Sequence, residues 1–218
     1  MRVRSWRSAM EFDFDVLDRQ LRYKLLCAYV APRPIALVTT VSPEGIGNAA
    51  PMSFFNVISD EPPMVILSIR ARPDEQPKDT TRNIKETGEF VVHMVDRSMA
   101  DAMITCGIGF PPGEDELKHT NLAVCPSRKV KPVRIQGAPA AMECRLSTTL
   151  EYENRSVILG QVVQMWVKDD CIDKETLYVN SRCYQPLARL HGDFYTVAEN
   201  LFELPVPTYE EWLEQRKK

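Results

Sequence analysis

Residues 47–59 read GNAAPMSFFNVIS. The stretch opens on small side chains, meets Pro51, and continues through Ser53 and Asn56. We read it as one irregular strand starting near Gly47. Small side chains leave backbone N–H and C=O groups within reach of a flat polar ligand. The same residues also fit a bent edge strand broken by Pro51. Just upstream, residues 35–41 (IALVTTV) are β-branched and predict a strand, followed by a turn at 42–45 (SPEG). Downstream, two prolines precede a third strand, MVILSIR at 64–70. This meander predicts an antiparallel sheet or barrel.

The pattern holds further out. Residues 16–28 place Leu17, Leu21, Leu25 and Ala28 on one helical face, and Pro32 and Pro34 end that helix. A short helix is expected over 79–87, with Asp79 as N-cap and Gly88 as stop. A strand at 89–95 follows, then a helix at 98–107 with Ser98 as N-cap and Asp101 at N3. Residues 109–114 read as a loop and those near 115–121 as a short polar helix. Residues 141–168 form a long hairpin around Asn154 and Arg155, and LYVN at 177–180 a short strand. Residues 184–195 are loop-like, and 208–217 a helix capped by Thr208. The expected class is mainly β: a β-barrel with peripheral helices, in one domain spanning 1–218. Its core covers about 20–195, with a flexible tail at 1–15 and a helical tail at 205–218.

Composition bounds the function. The chain has 218 residues, 44% hydrophobic and 26% charged, with net charge −3. These are globular averages, so a disordered, collagenous or coiled-coil chain is excluded. A mildly acidic chain is a poor phosphate-backbone binder, so nucleic acid is not an expected partner. Cysteines stand at 27, 106, 125, 144, 171 and 183, and histidines at 93, 119 and 191. No CxxC pair or zinc spacing occurs, so no metal site is expected. The thiols read as reduced and mostly buried, which points to the cytoplasm. No run of 18 apolar residues exists, so no membrane span is expected. The opening MRVRSWRSAM lacks the apolar core of a signal peptide and reads as a frayed tail, with Met10 an alternative start.

Familiar catalytic motifs are absent: there is no GxGxxG after a strand, no GxxxxGK[ST] and no GxSxG. Two further segments carry candidate chemistry. In 76–83 (QPKDTTRN), Lys78 precedes a helix start bearing Thr80 and Thr81, which suits a phosphate. Asp79 weighs against an anion there, and an ordinary solvated helix start fits too. Ser68 and Arg70 stand at the end of the preceding strand. In 184–195, Arg189, His191, Gly192 and Tyr195 either orient a ligand or belong to a packed crossing loop.

The ordered series PRPIALVTT, GNAAPMSFFNVIS, PPMVILSI and KDTTRNIKETGEFVVHMV resembles the flavin reductase-like, FMN-binding split-barrel family. FPPGEDEL, APAAMECRL, ILGQVV and PLARLHGDFY extend the likeness over roughly residues 20–195. The resemblance implies a split β-barrel that binds FMN (or FAD), as a homodimer with the site near the subunit interface. It places Asn48, Ala50 and Pro51 along the isoalloxazine ring, continued by Met52, Ser53, Phe55 and Asn56. Ser68, Lys78, Asp79 and Thr80 surround the ribityl phosphate. Arg189, His191, Gly192 and Tyr195 close the site, from the same subunit or its partner. The chain departs from the pattern at 71–77 (ARPDEQP), where relatives often carry a shorter approach, and at His191, which often has a glycine counterpart.

The implied reaction takes hydride from NADH or NADPH to the flavin and passes electrons to a monooxygenase or another acceptor. The flavin carries the chemistry, so no catalytic side chain is expected, and backbone donors near the ring would stabilise its reduced form. The alternative is an FMN-holding electron-transfer or storage protein without its own NAD(P)H activity. A haem-binding barrel is a third reading, which the few histidines disfavour.

Overall fold

The structure is a computed structural model and describes residues 9–216. Helix α1 (Arg19–Tyr29) leads to strands β1 (Arg33–Pro34), β2 (Ala36–Val41), β3 (Gly47–Met52), β4 (Phe55–Asp60) and β5 (Pro63–Arg70). Then come α2 (Asp79–Thr87), β6 (Glu89–Met94), α3 (Ala100–Thr105), β7 (Val124–Cys125) and β8 (Arg134–Ile135). The long strands β9 (Ala140–Tyr152) and β10 (Arg155–Val167) follow, then β11 (Leu187–Arg189), β12 (Tyr195–Val197) and α4 (Tyr209–Gln215).

One antiparallel sheet dominates, in the order β3-β2-β6-β9-β10-β5-β4. Its two outermost strands, β3 and β4, are separated in sequence only by Ser53 and Phe54. Two residues span at most about 7 Å, so the sheet must curl until its edges meet. The edges meet without a hydrogen-bonded ladder between them, which makes the barrel a split one. The single irregular strand expected over 47–59 is therefore two strands on opposite edges. Ser53 and Phe54 are where the chain crosses the split.

The apolar run Ile35–Val38 is continuous because both faces of β2 are buried. Ala36 and Val38 point into the barrel with Phe55, Leu67, Phe90, Val92 and Ile158. Ile35 and Leu37 point the other way, into a second cluster with Ala49, Met103, Cys106, Leu117 and Ile135. Helix α2 sends Ile84 into the barrel cluster and ends at Gly88, whose left-handed φ of 73° suits glycine.

Several boundaries differ from expectation for local reasons. Helix α1 starts later, because the Asp18 carboxylate accepts from Leu21 N. Lys78, not Asp79, is the N-cap of α2, since the Asp79 side chain is engaged by arginines. Ser98 does not cap its helix either: the Asp96 carboxylate accepts from Ser98 N and Met99 N and starts a 3-10 turn that runs into α3. The polar helix near 115–121 is a 3-10 turn, Glu116–His119. LYVN contributes only an isolated bridge, Ile172 to Val179. The loop-like 184–195 instead contains a hairpin of β11 and β12, with β11 also pairing β1. The C-terminal helix is α4, with Thr208 and Glu211 forming a capping box. Most of the tail expected at 1–15 and the expected end of α4 at 217 lie outside the described residues.

Candidate functional site

The split in the barrel opens into a cleft of 1410 Å³. Its floor is β3, with Asn48, Ala50, Pro51 and Met52, followed by Ser53. Lys78, Asp79 and Thr80 from the start of α2 form one wall, and Met103, Cys106 and residues 107–110 another. Arg189 and Tyr195 reach it from the β11–β12 hairpin, and Arg19 from α1. Arg33 ties that hairpin to the helix: its guanidinium donates to the carbonyls of Cys27, Val30 and Leu190.

The backbone of β3 is less free than its small side chains suggest. Ala49 N donates to Glu116 Oε2 at 2.8 Å, so the Ala49 N–H points away from β2. Strand alternation turns Gly47 and Pro51 the same way, while Asn48, Ala50 and Met52 face β2. Pro51 is tolerated because its position needs no ladder donor. Along 48–52 the outward edge therefore offers carbonyls at Ala49 and Pro51, and its one N–H is taken. The expectation of backbone donors fails on this strand; it presents acceptors instead.

Asn48 is buried and its amide is committed. Nδ2 donates to Thr40 Oγ1 at 3.1 Å and to Thr80 Oγ1 at 3.0 Å, which locks α2 to β2 and β3. Asp79 is equally committed. It accepts from Arg72 at 3.0 Å, from Arg82 at 2.5 Å and from Gly113 N at 3.1 Å. A carboxylate held between two guanidinium groups no longer opposes an anion nearby. The departure at 71–77 thus has a use, because Arg72 neutralises Asp79.

A side pocket of 220 Å³ adjoins the cleft and shares Ala50, Pro51, Met52, Ser53, Arg70 and Lys78 with it. Ser68, Tyr23, Phe54 and Arg155 complete its lining. It holds the cations Arg70, Lys78 and Arg155 and no carboxylate. Arg155 donates to Ser68 O at 3.0 Å and Ser68 Oγ at 3.2 Å, and lies 4.6 Å from the Phe54 ring centroid. Burial, and then the like charge of Arg70, hold Arg155 below the ordinary guanidinium pKa. Among the described residues this positive charge has no counter-ion within salt-bridge distance, the condition an anionic ligand relieves. Lys78 makes no side-chain cap at α2, so the first N–H groups of that helix also lack a side-chain acceptor.

Four of the expected site residues lie elsewhere. Phe55 points into the barrel core, because it follows the bend at 53–54 and starts β4 facing inward. Asn56, the next residue, alternates outward and its Oδ1 accepts from Val57 N. His191 packs against Phe194, and Gly192 lies in the hairpin turn with its carbonyl accepting from Arg189. Neither lines the cleft of its own chain. Reading the sequence also passed over Arg155 and Glu116. Arg155 lies far along the chain, at the start of β10 just after a hairpin turn, and carries no local signal. Glu116 stands in the FPPGEDEL run, where an acid among acids looks like solvated surface.

The Flavin reductase like domain model matches residues 29–188. The chain belongs to this family. A protein of Aquifex aeolicus is 40% identical over 189 residues, covering 87% of this chain and 96% of its own. Among solved structures, the 2-nitrobenzoate 2-nitroreductase of Pseudomonas fluorescens is 35% identical with a TM-score of 0.83, covering 92% of this chain and 98% of that one. Nitrilotriacetate monooxygenase component B from Bacillus cereus is 30% identical with a TM-score of 0.85, covering 90% and 99%. Membership of this family supports a flavin-binding oxidoreductase role and agrees with the split barrel derived above.

The cleft fits a flavin. Carbonyls on its floor could accept from a ring N–H, its small residues would admit a flat ring, and the acid-free side pocket would suit a phosphate. The thiol of Cys106 lies in the cleft, but burial pushes its pKa up to about 12, so it stays protonated.

Proposed function

We propose that the protein is an NAD(P)H-dependent flavin oxidoreductase that holds FMN in the split of the barrel. The observation that carries this reading is the side pocket with three cations and no acid, opening from a cleft floored by small residues. Ser68, Arg70, Lys78 and Arg155 would bind the phosphate, with Thr80 and the open start of α2 beside them. Asn48, Ala50, Pro51, Met52 and Ser53 would carry the ring, with the Ala49 and Pro51 carbonyls as acceptors. Arg189 and Tyr195 would bound the outer side, and His191 and Gly192 act only from a second subunit. The flavin supplies the hydride chemistry when bound. The residues bind it, orient it and keep one face open.

The cleft exceeds the roughly 300–1,000 Å³ of a small-ligand site, which leaves room for a nicotinamide or an acceptor beside the cofactor. The chain reads as one domain that works as a cytoplasmic homodimer and passes its electrons to a monooxygenase or another acceptor. The component B relative supports the monooxygenase arrangement.

The test is a visible spectrum of the purified protein supplied with FMN, followed by NADH or NADPH without oxygen. Bleaching of bound flavin is expected. Bound flavin that neither nicotinamide bleaches would assign an electron-transfer or storage role instead. Failure to bind FMN or FAD would overturn the site.

A further inference from the structure

Two buried acids line the cleft: Asp79, which two arginines clamp, and Glu116, which the flavin-binding reading does not use. Glu116 is 9% exposed and lines the cleft from the 3-10 turn after the 107–114 loop. Its Oε2 accepts from Ala49 N at 2.8 Å, on the outward edge of β3. Its Oε1 makes no hydrogen bond, and neither oxygen meets a cation, among the described residues.

The other acidic groups of the cleft are engaged by neighbours or open to solvent. Asp79 is clamped by Arg72 and Arg82, Glu75 and Glu153 are exposed at the rim, and the Cys106 thiol is protonated. The Tyr195 hydroxyl accepts from Arg189.

We propose that Glu116 is the group that gives and takes back protons in the reductive chemistry of this cleft. The proposal rests on the flavin oxidoreductase reading and adds a proton donor to it. In the step assigned to it, reduced nicotinamide is the ultimate source of the hydride. The atom left negative in the reduced acceptor takes the Glu116 proton. The O–H bond breaks, its electron pair stays on the carboxylate, and water at the cleft mouth restores the proton.

The surroundings of Glu116 favour this. Burial raises its pKa above the ordinary carboxyl value, and the Ala49 N–H offsets only part of that rise. The charged groups facing it are acids: Asp115 on its own turn, and Asp79 at the start of α2. Cys106 at the end of α3 is its neutral neighbour. The Asp115 carboxylate is held in place, since its Oδ1 accepts from Leu117 N and a Cβ on Gly47 would come within 2.7 Å of its Oδ2. Asp115 disfavours a second negative charge beside it, and Asp79, clamped by Arg72 and Arg82, adds the smallest part.

The test compares the FMN-loaded wild type with Glu116→Gln, whose amide oxygen still accepts from Ala49 N. FMN affinity is expected to stay the same, while turnover with NAD(P)H falls roughly 100-fold. The wild-type rate should hold at low pH and decline as Glu116 ionises, and the variant should lose that limb. Infrared titration of the wild-type holoprotein gives a readout that needs neither turnover nor a folded variant. A carboxylic-acid C=O band should persist above the ordinary carboxyl range. A Gln variant with wild-type turnover and pH profile would overturn the proposal, as would a holoprotein whose every carboxyl ionises within the ordinary carboxyl range. A wild type that binds no flavin would instead overturn the flavin reading and this proposal with it.

Discussion

Arg155 shows how one residue can join fold and function. It starts β10, donates to Ser68 on β5, and leaves its remaining charge in a pocket with no acid. Replacing it with Gln removes a charge-assisted contact of about 1.5–3 kcal/mol. FMN affinity should fall by roughly 10- to 100-fold while FMN-free stability changes little, as fluorescence titration and urea unfolding would report. His93 is the structural counterpart. It is fully buried, with Nδ1 at 2.9 Å from Leu37 O and Nε2 accepting from Ile135 N at 2.9 Å. That pairing needs the neutral ring, and burial lowers its pKa to about 4. The unfolded chain, with an ordinary histidine pKa of about 6.5, then binds more protons than the folded one between pH 6.5 and 4. The contribution is fully present above pH 6.5 and is lost as pH falls toward 4, by about 3 kcal/mol. An NMR titration in which the His93 ring protonates near pH 6.5 would contradict this.

Among the elements, the β9–β10 hairpin carries the barrel wall. Gly160 of β10 is paired with Leu146 of β9 and Val65 of β5, at a register shift. A Cβ there would come within 2.2 Å of the Phe90 ring in the barrel core. Gly160→Ala is expected to destabilise the fold by about 1–3 kcal/mol, read as a lower urea midpoint with an unchanged slope. On the outside of this hairpin, the fully buried Glu143 anchors the 128–130 loop. It accepts from Arg128 N, Lys129 N and Trp166 Nε1. Burial alone would raise its pKa, but these three donors and Arg134 hold it below the ordinary carboxyl value. The same logic separates it from Glu116, which has one donor and acidic neighbours.

At the scale of the whole molecule, the homodimer proposed above would have exposed apolar runs to bury. Leu177, Tyr178 and Val179 are exposed in succession, with Tyr178 at 78%. Leu201, Phe202, Leu204 and Val206 form a second exposed run, with Val206 at 92%. Helix α4 buries none of its residues, although its Tyr209 and Trp212 rings stack on each other. Exposed apolar runs of this kind suit the interface of the proposed homodimer. Sedimentation equilibrium should return twice 24.9 kDa, and a chain truncated after Ala198 should shift toward monomer. A full-length chain that sediments at 24.9 kDa down to micromolar and up to millimolar concentration would refute this.

The amino-acid sequence alone determined the mainly β class, the long hairpin at 141–168, the helix at 79–87 with its glycine stop, and the small-residue run of β3. These are local: alternation, capping and turn chemistry act over a few residues, and the family likeness rests on their order along the chain. It also pointed to Lys78, Thr80, Arg189 and Tyr195, which the structure brings to one cleft. Only the tertiary structure decided the rest. That β3 and β4 are two strands on opposite edges follows from the closure of seven strands, and no window of sequence contains that closure. That Asp79 is neutralised, Arg155 faces an acid-free pocket, and Glu116 takes the Ala49 N–H depends on contacts between residues 7 to 87 positions apart. The chemistry of such groups comes from neighbours that folding supplies, and burial then sets how strongly those neighbours act.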